Sequence, residues 1–346
     1  MFHDALVKVM GRADLTAAEA SAAMHEIVDG GVAPAQVAGL LVGLAMKGER
    51  PEEMTGFAMA MRERAVQVPV EPGTTTDLCG TGGDRSGTFN ISSAAAIVTA
   101  ACGVTVAKHG NRSVSSRCGS ADVFEALGVD LTAGPAALAR CLSRAGIAFL
   151  FAPAMHPSTR HVVAVRRELG VRTAFNLLGP LMNLTRPAHQ VVGVPRPELT
   201  ELIARTLAGL GSARAWVVHG ADGLDELSTT GYSKVSECRD GAVKTFYVHP
   251  SDVGLPKAPA SALAGGDAAT NAGIVRAVLA GDRGPARDVV VLNAGAALLV
   301  AGRAARLSDG LAAAAAAIDS GAAQRTLDAL VRWSATPPPL PGETAA

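Results

Sequence analysis

The sequence predicts an α/β fold, with a small N-terminal α-helical domain ahead of a large α/β domain that has a mostly parallel central sheet. Three observations carry this expectation. Residues 1–70 show helical patterning only, the chain beyond them alternates short strand-like runs with helices, and the composition is 49% hydrophobic but only 3% aromatic, with Ala and Gly abundant. Alternation of this kind puts helices on the faces of a largely parallel sheet, and small side chains suit helices packed closely on it. At 346 residues the chain exceeds the usual single core. The expected division is residues 1–70 for the helical domain, joined in space by helices near 158–187, and residues 71–346 for the α/β domain.

The elements follow in order. Thr16 with Glu19 three positions later forms a capping box for a helix that stops at Gly30-Gly31. Val37, Leu40, Leu41 and Leu44 recur on one side of a second helix ending at Lys47-Gly48, and Pro51 opens a third that runs to Arg64. After Val68-Pro69-Val70-Glu71-Pro72-Gly73, strand-like runs cover residues 77–79, 104–107, 147–151, 190–194 and 215–219. Ligands in such folds bind beyond the carboxyl ends of the strands, and the loops after the first, second and last runs carry the unusual polar residues. From Thr336 the chain is Pro-rich and reads as a frayed tail.

Bulk properties exclude several classes. Lys plus Arg equals Asp plus Glu at 31 each, so no global field draws nucleic acid or an anionic membrane, and any anion site is local. No charged-then-apolar leader opens the chain and the apolar runs are shorter than a bilayer span, which predicts a soluble, cytoplasmic protein. Five cysteines without C-x-x-C spacing or clustered His argue against a disulfide framework and a zinc site. Cys79 beside the glycine cluster has no sequence-adjacent His to activate it.

Three loops could do chemistry. Cys79-Gly80-Thr81-Gly82-Gly83-Asp84 leaves the first strand and leads through Thr88 and Asn90 to a helix starting near Ile91-Ser92-Ser93. Glycines let backbone N–H groups approach phosphate oxygens, and a helix N-terminus adds partial positive charge. The second loop, Lys108-His109-Gly110-Asn111-Arg112-Ser113-Val114-Ser115-Ser116, packs cations among amide and hydroxyl donors before a helix expected to be capped by Ser120, a mixture suited to an oxyanion-rich ligand. In the third, Asp222-Gly223-Leu224-Asp225-Glu226-Leu227, adjacent carboxylates suit Mg²⁺, which takes oxygen ligands and bridges to phosphates.

These segments, with Gly119-Ser120-Ala121-Asp122, Asn176-Leu177-Leu178-Gly179-Pro180, Lys47-Gly48-Glu49 and Ala60-Met61-Arg62, resemble the anthranilate phosphoribosyltransferase family in order and spacing over nearly the whole chain. The resemblance implies a homodimer that transfers a phosphoribosyl group from 5-phosphoribosyl 1-diphosphate to the amine of anthranilate, in tryptophan biosynthesis. It implies that Gly80, Gly83, Asp84, Thr88, Asn90, Ile91, Ser92, Ser93, the nine residues from Lys108 to Ser116, and Ser120 line the diphosphate substrate. Ser92, Asp225 and Glu226 would hold Mg²⁺, and Gly80, Asn111 and Arg166 would meet anthranilate, with Arg166 rather than its neighbour Arg167 facing the carboxylate. His109 would shape its loop and His156 would lie near the acceptor, neither acting as an acid or base. Arg117 and Cys118 stand where the family commonly has Lys and Ser, and Asn183-Leu184-Thr185-Arg186-Pro187 expands the usual Asn-Pro turn.

Two alternatives compete. A pyrimidine nucleoside phosphorylase shares this architecture, but its phosphate loop differs from residues 108–112 and gives the Asp225-Glu226 pair no purpose. A nucleic-acid-binding relative is disfavoured by the balanced charge and intact loops.

Overall fold

In the computed structural model, which describes residues 1–113 and 117–335, the helical N-terminal region comes first. It comprises α1 (Phe2–Met10), α2 (Ala17–Val28), α3 (Pro34–Lys47) and α4 (Pro51–Glu63). The Thr16–Glu19 capping box is made in both directions, and Val37, Leu40, Leu41 and Leu44 form the buried side of α3 as the periodicity requires. Helices α2 and α4 approach closely because Gly56 has no side chain; a Cβ there would press on the Ala17 carbonyl.

The α/β region follows as β1 (Thr76–Gly80), α5 (Ile91–Ala101), β2 (Val106–Gly110), α6 (Ser120–Leu127), α7 (Pro135–Arg140), β3 (Ile147–Phe151), the short α8 (Ala152–Met155), α9 (Arg160–Leu169), the short α10 (Phe175–Leu178), β4 (His189–Gly193), α11 (Leu199–Gly209), β5 (Arg214–Gly220), β6 (Ser233–Arg239), β7 (Ala242–Val248), α12 (Ala268–Leu279), α13 (Pro285–Val300), α14 (Leu307–Asp319) and α15 (Ala322–Ala335). One seven-stranded sheet runs in the order β3-β2-β1-β4-β5-β6-β7. The first five strands in that order are parallel, and β6 and β7 add an antiparallel hairpin. The expected fold class is thus borne out. The hairpin goes beyond the expected strands: the exposed side of β7 leaves it without an apolar run.

Alternation along the strands assigns the two faces of the sheet. Leu78, Val191, Trp216 and Val218 pack into the core built with α5, α6 and α12 to α15, while Cys79, Val192, Ala215 and Val217 join a second core with α1 to α4, α9 and α11. The helical region therefore covers one sheet face rather than standing apart, and α9 packs against α2 and α3. Burying a side chain such as Phe57, 1% exposed, contributes about 2–3 kcal/mol.

The seam between β1 and β2 departs from a regular ladder. Only Thr76 and Val106 are in register there, whereas β2 pairs with β3 over five residues. Past that point side chains replace the missing backbone bonds. The Asp77 carboxylate accepts from the His109 N–H (3.2 Å) and from Asn183 Nδ2 (2.9 Å), Asn183 Nδ2 also donates to the Ala107 carbonyl (2.8 Å), and Lys108 Nζ donates to the Leu78 carbonyl (2.5 Å). All of these groups are buried, so each needs its partner. This gives the unusual Asn183 turn its purpose: it laces two strands together from outside the sheet. Asn183→Ala leaves Asp77 and the Ala107 carbonyl without that donor and should cost about 2–3 kcal/mol, read as a lower urea midpoint at unchanged slope; a midpoint equal to that of the parent chain would show the seam closes without it.

Candidate active site

Two paired glycines mark the site. Gly80 ends β1, Gly193 ends β4, and they are register partners where the strand order reverses direction, which is where open α/β sheets bind ligands. The loop after β5 lies across them. A Cβ on Gly80 would sit 2.6 Å from Asp225 Oδ2, and one on Gly193 would collide with the Asp225 backbone carbonyl. Glycine is required at both positions for close approach, and Gly193 had no distinguishing pattern in the sequence.

From Gly80 the glycine loop turns through Gly82 (φ 67°) and Gly83 (φ 86°), left-handed conformations that glycine adopts without strain. The Gly82 N–H donates to Asp225 Oδ2 (3.1 Å), and the Thr81 N–H donates to the Gly193 carbonyl (2.9 Å). Helix α5 begins at Ile91 as expected, and the Ser92 N–H at its N-terminus donates to Glu226 Oε1 (3.1 Å). The positive end of α5 therefore already faces a carboxylate.

Desolvation is the main cause that raises the pKa of both Asp225 and Glu226 above the carboxylate range, although each keeps some accessible surface. The nearby Asp84 pushes Asp225 further up, Asp225 does the same to Glu226, and Lys108 opposes the shift at Glu226. Among the described residues neither carboxylate has a cation within ion-pair distance. Ser92 Oγ, 3.5 Å from Lys108 Nζ, completes a set of hard oxygen donors. These residues fit Mg²⁺: crowded, desolvated carboxylates gain most from a hard dication. Among the described residues no three His, Cys, Asp or Glu side chains converge into a ready metal cage, so the set suits an ion that completes its shell with water and substrate oxygens.

The second predicted loop is placed differently. Lys108, His109 and Gly110 belong to β2 rather than to a loop, and the strand begins two and ends three residues later than the 104–107 run suggested. Lys108 is 1% exposed and turned into the seam. His109 is buried, with its Nδ1 3.1 Å from the Gly179 carbonyl. Asn111 and Arg112 are exposed; Arg112 reaches α6 and pairs with Asp122 and Glu125, both at 2.8 Å. Val114, Ser115 and Ser116 lie outside the described residues, as does the tail expected from residue 336. Ser120 is the first residue of α6 and not its cap; Gly119 is the cap, its N–H donating to Asp122 (2.8 Å). Cys118 takes a hydroxyl's place by donating its thiol to Asn90 Oδ1 (3.3 Å), which also accepts from Asn271 Nδ2 (2.9 Å). Ser93 is buried in α5, while Thr88 forms a bridge to Ala264.

Arg166 is half-buried on α9 with its guanidinium 5.5 Å from the Phe175 ring centre, while Arg167 is exposed. Burial lowers the Arg166 pKa, and no carboxylate pairs with it among the described residues. It makes no hydrogen bond to Gly80 or Asn111 there. Cys79 is buried beside Asp77, and desolvation lifts its thiol well above the ordinary range, which removes it as a nucleophile.

Comparisons with known proteins agree with this geometry. Residues 3–65 match the family model described as glycosyl transferase family, helical bundle domain, and residues 73–324 match that described as glycosyl transferase family, a/b domain. The anthranilate phosphoribosyltransferase of Moorella thermoacetica is 54% identical over 333 residues, covering 96% of this chain and 98% of that one. This chain belongs to the anthranilate phosphoribosyltransferase family. Among solved structures of the family, the enzyme from Thermus thermophilus superposes with a TM-score of 0.91 at 44% identity, covering 96% of this chain and 100% of that one. The Saccharomyces cerevisiae enzyme in complex with PRPP and Mg superposes with a TM-score of 0.85 at 27% identity, covering 96% and 97%. The family resemblance read from the motifs is borne out.

Beside the site, His109 and His156 meet edge to face with ring centres 5.3 Å apart. Burial is the main cause that holds their pKa values down, to about 3 and about 4 from an ordinary 6.5. Both are neutral at physiological pH, which fits a binding wall better than proton transfer. At these two histidines, between pH 6.5 and about 4, the unfolded chain binds protons that the folded one does not, so their contribution to stability is lost as pH falls through that window. Because Asp225 and Glu226 are shifted the opposite way in the same range, the histidine contribution is read as a difference: the unfolding free energy of His156→Gln relative to the parent chain should rise as pH falls from 6.5 toward about 4, with a slope approaching about one proton, and a difference that does not vary with pH would exclude His156 as a source.

Proposed function

We infer that this chain transfers the phosphoribosyl group of 5-phosphoribosyl 1-diphosphate to the amine of anthranilate, giving N-(5-phosphoribosyl)anthranilate and diphosphate, a step of tryptophan biosynthesis. The observation that carries the reading is the Asp225-Glu226 loop laid over the paired Gly80 and Gly193, beside a glycine loop, at the strand-order reversal. Family membership at 54% identity supports it over a nucleoside phosphorylase or a nucleic-acid binder.

The chemistry follows from charge. Breaking the bond from ribose C1 to diphosphate builds positive charge on the sugar and negative charge on the leaving oxygens. Donors fixed around the diphosphate before reaction stabilise that charge. The diphosphate substrate is assigned to Gly80, Gly83, Asp84, Thr88, Asn90, Ile91, Ser92, Ser93, Lys108, His109, Gly110, Asn111, Arg112, Ser113 and Ser120, together with Val114, Ser115 and Ser116. Arg112 would share its charge between substrate and α6, given its pairs with Asp122 and Glu125. Ser92, Asp225 and Glu226 would hold Mg²⁺, which supplies neutralisation of the diphosphate oxygens when bound. Anthranilate's amine carries its own lone pair, so the site needs no strong base, and Gly80, Asn111 and Arg166 would orient it.

The protein would work in the cytoplasm as a homodimer. The exposed Val7, Met10 and Met46 of α1 and α3 favour burial against a second copy.

The direct experiment mixes purified protein with phosphoribosyl diphosphate, anthranilate and Mg²⁺ and follows anthranilate fluorescence. It should fall, and EDTA should stop it; folded protein that leaves the fluorescence constant would sink the reading. A second expectation concerns the acceptor. Arg166→Ala should raise the KM for anthranilate by about tenfold or more, the loss of a charged hydrogen-bond pair, with little change for the diphosphate substrate. Equal losses for both would place Arg166 outside the acceptor site.

A further inference from the structure

We propose that Arg172 is a positioning residue for the diphosphate substrate, clamping the glycine loop from the side opposite Asp225. The inference rests on the donor substrate proposed above and adds to that site a residue outside every segment that suggested it.

Arg172 follows α9 and its cap Gly170 (φ 61°). Its Nη2 donates to the Gly82 carbonyl (3.4 Å), while the N–H of the same Gly82 donates to Asp225 Oδ2 (3.1 Å). One loop residue is thus held from two sides, by a cation on its carbonyl and an acid on its amide. Gly83 makes this possible, because a Cβ there would collide with the Arg172 guanidinium. The glycine is needed for its left-handed φ and also to admit the arginine.

The charges around Arg172 point to an anion. Arg196 and Arg85 lie close enough to repel it, and Asp225 is the acid that attracts it. Among the described residues neither Arg172 nor Arg85 has an ion-pair partner, and Arg196 meets only the exposed Glu198, at 3.4 Å. The positive charge of Arg172, felt by Arg196 and Arg85, is better accommodated when a multiply charged anion joins it. A diphosphate held at Gly82 and Gly83 would be that anion, and the planar fork of an arginine matches phosphate oxygens in parallel hydrogen bonds. Arg172 also lies just beyond α9, the helix that carries Arg166 and packs on α2 and α3. It therefore ties the loop assigned to the donor to the helix assigned to the acceptor.

The test compares Arg172→Ala, Arg172→Gln and Arg172→Lys with the parent chain by calorimetric binding and steady-state kinetics. Arg172→Ala should weaken phosphoribosyl diphosphate about tenfold or more in both Kd and KM. Binding of inorganic diphosphate with Mg²⁺ should weaken in parallel, while the KM for anthranilate stays within about twofold. Arg172→Lys should recover part of the loss, since it restores charge without the fork. Arg172→Gln, uncharged but able to hydrogen-bond the Gly82 carbonyl, serves as the folded reference if the alanine variant is unstable. Unchanged affinities for both anions, or equal losses for donor and acceptor, overturn the assignment. A parent chain that binds neither phosphoribosyl diphosphate nor diphosphate overturns the donor reading, and the assignment falls with it.

Discussion

The structure depends on the opened seam between β1 and β2. A regular ladder there would take up the Leu78 and Ala107 carbonyls and the His109 N–H in backbone bonds. Instead Lys108, Asp77 and Asn183 supply the partners. A buried polar network of this kind is stable only when every member is satisfied, so it fixes where β2 lies relative to β1. Asp77 shows the cost: burial raises its pKa even though Lys108, Asn183 and the His109 amide all act to lower it. The same lysine that closes the seam reaches toward Ser92 and opposes the shift at Glu226. The framework and the proposed metal residues thus share one buried cation.

Close approach is the second constraint. Gly80 and Gly193 let the Asp225-Glu226 loop cross the sheet, and Gly83 admits Arg172. The result concentrates carboxylates where burial penalises their charge, next to a loop held by the Arg172 guanidinium. Among the described residues no ion pair joins the two. Such frustration in the free protein is what a dication and a polyanion arriving together would relieve, and relieving it only when both are bound favours their joint binding.

Helical domain and sheet are also less separable than their sequences suggest. Strand residues of alternate parity feed two different cores, and one of these contains α1 to α4. Helix α9, which carries Arg166, sits on α2 and α3, while the segment that follows it reaches the glycine loop. Position of the helical domain and geometry around Arg166 are therefore coupled through packing.

Much of this was legible in the sequence for simple reasons. Local signals fixed α2, α3 and α4, because a capping box, a helix-opening proline and a one-sided apolar stripe act within a few residues. The ordered motifs carried the family, and the position of Asp225-Glu226 after the fifth strand followed from the fold class. Other features depended on partners distant in the chain, and only the tertiary structure decided them. Lys108 and His109 read as loop residues in the sequence, whereas the ladder with β3 carries β2 through them and Asn183, more than seventy residues away, satisfies the opened seam beside them. Gly193 and Arg172 have no local pattern, since their importance lies in what a Cβ would strike or what a guanidinium covers. The β6–β7 hairpin leaves little trace in the sequence because polar residues interrupt the apolar pattern of the buried β6 and most of β7 is open to solvent. Sequence determined most of the elements and the chemistry of their loops; which polar groups hold the sheet together was settled by long-range packing, where burial makes every unpaired group costly.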